Sequence, residues 1–233
     1  MKAWELLGDT HTPDGTHIRL ARRDDEYVML ANGKPLMSSR THGSEEALAT
    51  LGCADARAME QPRVLIGGLG MAFTLRAVLD VLPSSAIVTV AELVPAVIEW
   101  NRASLAALTA HPLRDHRVRI EAVDVGFTLR ANPGRFDVVL LDVDNGPAAF
   151  TAADNAGLYD NRGVAAAHAA LRPGGTLAVW SAWEDRKFEQ RLRFHGFHVE
   201  VARVRARLKK GGPRHTIFLA HKRSGSRSSG VLR

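Results

Sequence analysis

The feature that most constrains the fold is a series of short apolar segments that alternate with helix-like segments. Buried strands are predicted at 63–67 (RVLIG), 86–92 (AIVTVAE), 117–124 (RVRIEAVD), 136–142 (FDVVLLD) and 174–182 (GGTLAVWSA). Short, nearly continuous apolar runs are typical of parallel strands that are covered on both faces. This part of the chain therefore predicts a parallel sheet with right-handed crossovers.

Helices and antiparallel strands account for the rest of the chain. Helices are predicted at 74–82, 96–108, 164–171 and 184–194. Near the carboxyl end, the segments 198–208 and 215–222 flank the turn KKGGPR, which predicts an antiparallel hairpin. At the amino end, short alternating segments separated by PDG and NGKP predict a small antiparallel β unit over 1–42. The α/β domain then covers 43–221, and residues 222–233 are expected to form a flexible basic tail.

Composition and charge argue against several classes of function. The net charge is +6, but residues 221–233 contain four basic residues and no acid, so most of the excess lies in the tail and nucleic acid is not the expected partner. The single Cys53 excludes an internal disulfide, and His195 with His198 lacks a third ligand, so we expect no metal. No apolar run is long enough for a membrane span, and no secretion signal is visible, so a cytoplasmic location and no membrane contact are expected.

Glycines and acids follow the predicted strands at the points where the strands end. They are Gly67, Gly68, Leu69 and Gly70 after the first strand, then Glu92, Asp124, and finally Asp142 with Asp144. Ligands of open α/β sheets bind outside the carboxyl ends of the strands, where these residues would meet. A glycine-rich turn lets a ligand approach the backbone and the free N–H groups of the next helix. The pattern therefore predicts a ligand-binding site at this edge.

The spacing of these residues indicates a nucleoside ligand. Glu92 lies where an acid commonly accepts hydrogen bonds from both ribose hydroxyls. Asp124 either accepts a hydrogen bond from an adenine amine or caps a helix or turn. A nicotinamide dinucleotide would fit the first half of the pattern, but the acid at strand three and the terminal hairpin favour enzymes that bind S-adenosylmethionine. The expected fold is class I methyltransferase-like (Rossmann-like), with a mostly parallel seven-stranded sheet.

The sequence resembles the spermidine synthase (polyamine aminopropyltransferase) family over nearly its whole length. VLIGGLGMAFTLRAVL is similar to that family's VLIIGGGDGGTLRE segment, VAELVPAVIEWNR to its VEID segment, and LLDVDNGP to its DSTDP-type loop. GLYDNRGVAAAHAALRPGG aligns with its LFTKEFY…LKPGG segment. The resemblance implies aminopropyl transfer from decarboxylated S-adenosylmethionine to an amine in polyamine biosynthesis, and a homodimer. It also implies that Glu92 holds the ribose, Asp124 the adenine edge, and that Asp142 is the catalytic base.

The sequence departs from the family pattern in three places. Met71 replaces the acid of the GGGDGG loop, GSEE at 43–46 replaces a Tyr-His-Glu triplet, and DVDNGP is two residues shorter than DSTDPxGP. An acid at position 71 would favour the bare ammonium of a decarboxylated donor, whereas methionine removes the repulsion against an intact carboxylate. An S-adenosylmethionine-dependent methyltransferase acting on a small substrate is therefore the first alternative. A catalytically silent nucleoside-binding or oligomerising protein is the second.

The chemistry of alkyl transfer gives the remaining candidates a role. An alkylamine with a pKa near 10 is protonated at neutral pH and has no lone pair for attack, so a carboxylate must take its proton. Asp142 is the candidate base and Asp144 would hold the acceptor, although both would also suit a solvated turn. Tyr159 either orients the acceptor or packs in the core. Trp180 and Trp183 either wall the acceptor pocket or fill the core.

Overall fold

The computed structural model describes residues 2–143, 146–147, 156–207 and 212–224. An antiparallel sheet at the amino end has the strand order β1-β2-β3-β4. Its strands are β1 (Glu5–His11), β2 (His17–Arg23), β3 (Glu26–Ala31) and β4 (Lys34–Ser38). The predicted amino-terminal β unit is this sheet.

A second sheet of seven strands has the order β10-β11-β9-β8-β5-β6-β7. Its strands are β5 (Arg63–Gly67), β6 (Ile87–Ala91), β7 (Val118–Glu121), β8 (Phe136–Leu141), β9 (Leu171–Ser181), β10 (Phe197–Arg205) and β11 (Arg214–Lys222). Only β11 runs against the others, because it pairs antiparallel with both β9 and β10. The predicted fold, a mostly parallel seven-stranded sheet with an antiparallel carboxyl-terminal hairpin, is confirmed.

Helices cover both faces of this sheet. They are α1 (Gly43–Gly52), α2 (Phe73–Val81), α3 (Pro95–Arg102), α4 (Val125–Ala131), α5 (Ala156–Tyr159), α6 (Asn161–Ala170) and α7 (Arg186–Phe194). The start of α6 is capped by Asp160 and that of α7 by Asp185, whose carboxylates accept backbone N–H groups of the first turn. No helix in the described part of the chain is long and apolar enough to cross a membrane.

Several boundaries differ from the sequence predictions, and three of them bear on the fold. The predicted third strand, 117–124, ends at Glu121, and the unpredicted α4 supplies the crossover that parallel strands require. The predicted helix 96–108 ends at Arg102 and is followed by a separate 3₁₀ turn, Ala106–Thr109. Lys222, which was assigned to the tail, closes β11, while residues 225–233 lie outside the described residues.

The core consists of two apolar clusters, one on each face of the large sheet. Alternate residues of β5 point to opposite clusters, with Val64 and Ile66 in one and Leu65 in the other. The first cluster also contains Leu20 and Met29 of the amino-terminal sheet, both almost completely buried. The small sheet is therefore packed onto the large domain through a shared core, and it can contribute walls to a site between them.

Candidate functional site

A cavity of about 430 Å³ lies at the carboxyl edge of the parallel strands. Five of the predicted glycines and acids at the strand ends line it, namely Gly68, Gly70, Glu92, Asp124 and Asp142. The amino-terminal sheet supplies further walls through Ile18, Met29 and Met37. His215 of β11 also lines the cavity, as do Trp180 and Trp183 at the end of β9. The structure thus brings the predicted strand-end residues together.

The loop after β5 lies directly against the end of β8. The backbone N–H of Asp142 donates to the carbonyl of Gly67 at 2.9 Å. Gly68 has a φ of +85°, and a Cβ at this position would lie 2.6 Å from the carbonyl oxygen of Asp142. A side chain at Gly68 would therefore be strained and would displace Asp142. On its other side, the loop is held by the Asn101 side chain, which donates to the carbonyl of Gly70 at 2.8 Å.

Two predicted donor-site residues face away from the cavity. Gly67 is buried, and a Cβ there would meet Val125 at 2.9 Å, so this glycine allows close packing between β5 and the start of α4. Met71 is completely buried in the first apolar cluster. Its role in the choice of donor stays a prediction, and in the structure its side chain is a core residue.

Glu92 follows β6 and is 7% exposed. One carboxylate oxygen accepts the backbone N–H of Leu69 at 2.8 Å, and the other accepts that of Val94 at 2.8 Å. The first bond connects Glu92 to the glycine loop. Contact of Glu92 with a ribose hydroxyl stays a prediction. Glu92 therefore shapes the pocket whether or not it also binds a ligand.

Asp124 is the N-cap of α4. Its side chain accepts the backbone N–H of Phe127 at 2.9 Å, and the carboxylate is about half exposed toward the cavity. Asp124 is thus a helix cap, as one of the two interpretations expected. Contact with an adenine amine stays a prediction, and it would involve the second carboxylate oxygen.

Asp142 lies immediately after β8 and faces the cavity. Its carboxylate accepts a hydrogen bond from the Thr74 hydroxyl of α2 at 2.5 Å. Burial raises the pKa of Asp142 to about 6, and the Thr74 hydrogen bond offsets part of that rise. A carboxyl group with this pKa is largely ionised at neutral pH, yet it is a much stronger base than a solvated aspartate.

Glu45 is a site residue that the sequence predictions missed. It lies in the first turn of α1, is 8% exposed and lines the cavity with Asp142. Burial, and then the negative charge of Asp142, raise the pKa of Glu45 to about 7. The GSEE departure from the family pattern was the available signal, but only the orientation of α1 decides which of its two acids faces the cavity.

The other acceptor-site candidates have separate positions. The Tyr159 ring is buried, and its hydroxyl donates to the carbonyl of Val143 at 3.2 Å, directly after Asp142. Trp180 and Trp183 both line the cavity, and Trp183 is 54% exposed. Asp144 lies outside the described residues.

Comparison with known proteins bears first on the fold. No protein-family model matches the sequence, and the search of curated proteins finds no match. Among solved structures, the chain is similar to a spermidine synthase in complex with the transition-state analogue AdoDATO, with a TM-score of 0.72 and 19% identity over 93% of this chain and 72% of that one. The spermidine synthase from Thermotoga maritima matches with a TM-score of 0.72 and 20% identity over the same shares. The chain has the fold of spermidine synthases.

Two further structures show how widely this fold is shared. A probable spermidine synthase from Corynebacterium glutamicum has a TM-score of 0.61 and 21% identity over 92% of this chain and 79% of that one. A precorrin-6y C5,15-methyltransferase from Geobacter metallireducens has a TM-score of 0.54 and 18% identity over 75% of this chain and 87% of that one. The resemblance seen in the sequence is therefore confirmed for the fold, which this chain shares with two kinds of transferase.

The cavity in this spermidine synthase fold has a marked excess of acids. Its described lining residues include Glu45, Glu92, Asp124 and Asp142. No lysine or arginine is among the described residues that line it. The chain as a whole has a net charge of +6, so the charge of the cavity acids is opposite in sign to that of the whole chain. The arrangement favours ligands that carry positive charge.

Proposed function

We propose that the protein transfers an alkyl group from a sulfonium donor of the S-adenosylmethionine type to an amine acceptor. The observation that carries this proposal is the cavity with acids and without lysine or arginine among its described lining residues. A sulfonium and an ammonium both suit such a site. The pyrophosphate of a nicotinamide dinucleotide would be repelled, so the same observation argues against the dinucleotide alternative.

The donor fits the half of the cavity formed by the glycine loop. The nucleoside would lie along Gly68 and Gly70, with its ribose against Glu92 and its adenine edge at Asp124. This placement points the sulfonium toward Asp142, because the backbone of Gly68 directly adjoins that residue. Donor and acceptor would then meet at the end of β8.

The transfer step needs one base and a donor in line with the amine. The acceptor enters as an ammonium, and Asp142 takes one of its protons. The nitrogen lone pair then forms the new C–N bond as the C–S bond breaks, and that electron pair stays on sulfur as a neutral thioether. The product leaves as a substituted ammonium. Positioning of the two reactants supplies much of the rate acceleration.

Aminopropyl transfer is the preferred form of this reaction. The carboxylate of an intact donor would enter a cavity with four acids and no lysine or arginine among its described lining residues. A decarboxylated donor carries its ammonium without that carboxylate, which an acidic cavity favours. Methyl transfer from S-adenosylmethionine is the second candidate, since position 71 lacks the acid that would attract such an ammonium.

Mass analysis separates these possibilities. Purified protein would be incubated with either S-adenosylmethionine or its decarboxylated form, together with a panel of mono-, di- and polyamines. We expect a product that gains an aminopropyl group with the decarboxylated donor. A methyl gain would establish the methyltransferase, and absence of product with both donors would favour a silent binding protein. Calorimetry with each donor alone would then show whether the silent protein still binds a nucleoside.

A further inference from the structure

The carboxylate of Glu45 is held by the neighbouring Ser44, and Ser44 is in turn held by His215 of the distant strand β11. The Ser44 hydroxyl donates to one carboxylate oxygen of Glu45 at 2.6 Å, and Nδ1 of His215 on β11 lies 2.9 Å from the same hydroxyl oxygen. A serine hydroxyl has one proton, so when Ser44 donates to the ionised Glu45, Nδ1 of His215 is the donor to Ser44. Burial lowers the pKa of His215, which is consistent with a neutral ring that carries this single proton.

The backbone fixes the same geometry. The N–H of Gly43, at the start of α1, donates to the carbonyl of Ala206 in the carboxyl-terminal hairpin at 2.9 Å. The first turn of α1 is thereby joined to the end of the hairpin that lines the cavity. Glu45 cannot turn to solvent without breaking this contact or its bond to Ser44.

The described residues provide no positive partner for this carboxyl group. None of their lysine, arginine or histidine side chains forms an ion pair with Glu45 or Asp142. Buried carboxylates require a compensating cation or a bound proton, because desolvation strongly disfavours the free charge. The raised pKa values of Glu45, about 7, and Asp142, about 6, are the expected consequence of this burial. An ammonium bound beside these groups would lower both pKa values, because a positive charge stabilises the ionised carboxylates.

We propose that Glu45 is an ammonium-binding residue of the acceptor pocket, which selects cationic amines and holds the acceptor while Asp142 removes its proton. This inference rests on the proposed transfer of an alkyl group to an amine. Glu45 forms no covalent bond in the reaction and takes no proton from the reacting nitrogen. Its charge stabilises the ammonium on entry and the substituted ammonium of the product.

The proposal has a thermodynamic signature that does not depend on turnover. A cation bound beside Glu45 lowers the pKa of that residue, so binding near pH 7 must release protons. Butane-1,4-diamine serves as the probe and butane-1,4-diol as its uncharged analogue. Calorimetric titration in two buffers of different ionisation enthalpy measures the released protons. We expect release with the diamine at pH 7, less release at pH 9, where Glu45 is already ionised, and no binding of the diol.

The variant test uses Glu45→Gln with Glu46→Gln as the matched control. Glu46 is the next residue, lies 2.7 Å from His42 and is not among the described residues that line the cavity. Glu45→Gln should weaken diamine binding at least 10-fold and abolish proton release, while donor affinity stays within a factor of about 2. In turnover assays it should raise the acceptor KM more than it lowers kcat. Glu45→Asp, which retains the charge, should restore part of the affinity.

The outcomes separate this inference from the proposed function. If no amine is alkylated by the wild-type protein, the proposed function fails, whatever the diamine does. If the wild-type protein alkylates amines but binds the diamine without proton release, or if Glu45→Gln binds it as tightly as wild type, the role of Glu45 is overturned. Failure of the wild-type protein to bind the diamine, with or without donor, also overturns it. The proton-release measurement requires no variant, so it remains decisive even if Glu45→Gln does not fold.

Discussion

The two halves of the cavity contain the same kind of side chain in opposite environments. In the donor half, Glu92 accepts two backbone N–H groups, and Asp124 accepts one at the start of α4. In the acceptor half, the hydroxyls of Thr74 and Ser44 donate to the carboxylates of Asp142 and Glu45. Burial dominates there and raises the pKa values of Asp142 and Glu45.

The difference shows how partners determine what a carboxylate can do. Backbone N–H donors fix the local chain, so Glu92 and Asp124 are suited to shape a pocket. Carboxyl groups in which burial outweighs the hydrogen bonds, such as Asp142 and Glu45, respond to a change in ligand or pH by changing their protonation. The donor half is thus built for recognition, and the acceptor half for proton transfer and the binding of cations.

The largest expected effect comes from neutralising the base. Asp142→Asn keeps the shape and can still accept the Thr74 hydrogen bond, but it cannot take a proton, so kcat should fall by about 10³-fold or more. Donor affinity, measured by calorimetry, should change little because the donor half is intact. Turnover above a tenth of the wild-type rate would show that Asp142 is not the base.

Neutralising Glu92 tests the other half. In Glu92→Gln the amide nitrogen cannot accept, so one of the two backbone N–H groups, of Leu69 or Val94, loses its partner, at a cost of about 1–3 kcal/mol. We expect the donor to bind about 10-fold or more weakly, and the midpoint of urea unfolding to fall. Unchanged donor affinity would contradict the assignment of the ribose to this residue.

Crowding at the junction of the two halves can be isolated with a pair of glycine variants. Gly68 and Gly15 have φ values of +85° and +84°, but a Cβ at Gly68 would lie 2.6 Å from the Asp142 carbonyl oxygen, whereas nothing lies within 4 Å at Gly15. Gly15→Ala should lose only about 1 kcal/mol, from backbone strain. Gly68→Ala should lose about 2 kcal/mol more and also reduce turnover. Equal losses in chemical denaturation would mean that the loop relaxes away from Asp142.

The pH dependence of stability tests the buried character of the acceptor half. Because the folded-state pKa of Asp142 is about 6 and its ordinary value is 3.8, the folded protein retains a proton that the unfolded chain loses. Wild type should therefore lose stability as the pH rises from about 4 to 6, by about 2 kcal/mol for this group. Asp142→Asn should lack this loss. The difference in free energy of unfolding, variant minus wild type, should therefore be larger at pH 8 than at pH 4. An advantage that does not change with pH would contradict the raised pKa.

The smallest effect is expected at Asp124, where capping and charge can be separated. Asparagine is as good an N-cap as aspartate, so Asp124→Asn should alter stability by less than about 0.5 kcal/mol, whereas Asp124→Ala should cost about 1 kcal/mol. A few-fold loss of donor affinity in both variants would support contact with the adenine amine. If only Asp124→Ala weakens the donor, the residue acts through α4 alone.

The sequence alone predicted the sheet and most of the strand-end residues, because both depend on local patterns. Runs such as RVLIG and FDVVLL indicate buried strands, and the carboxyl ends of parallel strands necessarily meet at one edge. The pattern also contained signals that were not used. TIFLA in β11 is an unbroken apolar run, and FHVEVARVR in β10 alternates, as expected of an inner and an edge strand respectively. The cap alternative at Asp124 was also a signal for α4, which the sequence predictions did not include.

Only the tertiary structure decided which side chains share the cavity and what their environment is. The orientation of α1 against the hairpin turns Glu45 into the cavity, and the turn after the glycine loop sends Met71 into the core. The raised pKa values of Asp142 and Glu45 follow from elements far apart in sequence that together remove water from these groups. Local periodicity reports which face of an element is buried, whereas desolvation and charge coupling depend on neighbours that only the folded chain brings together.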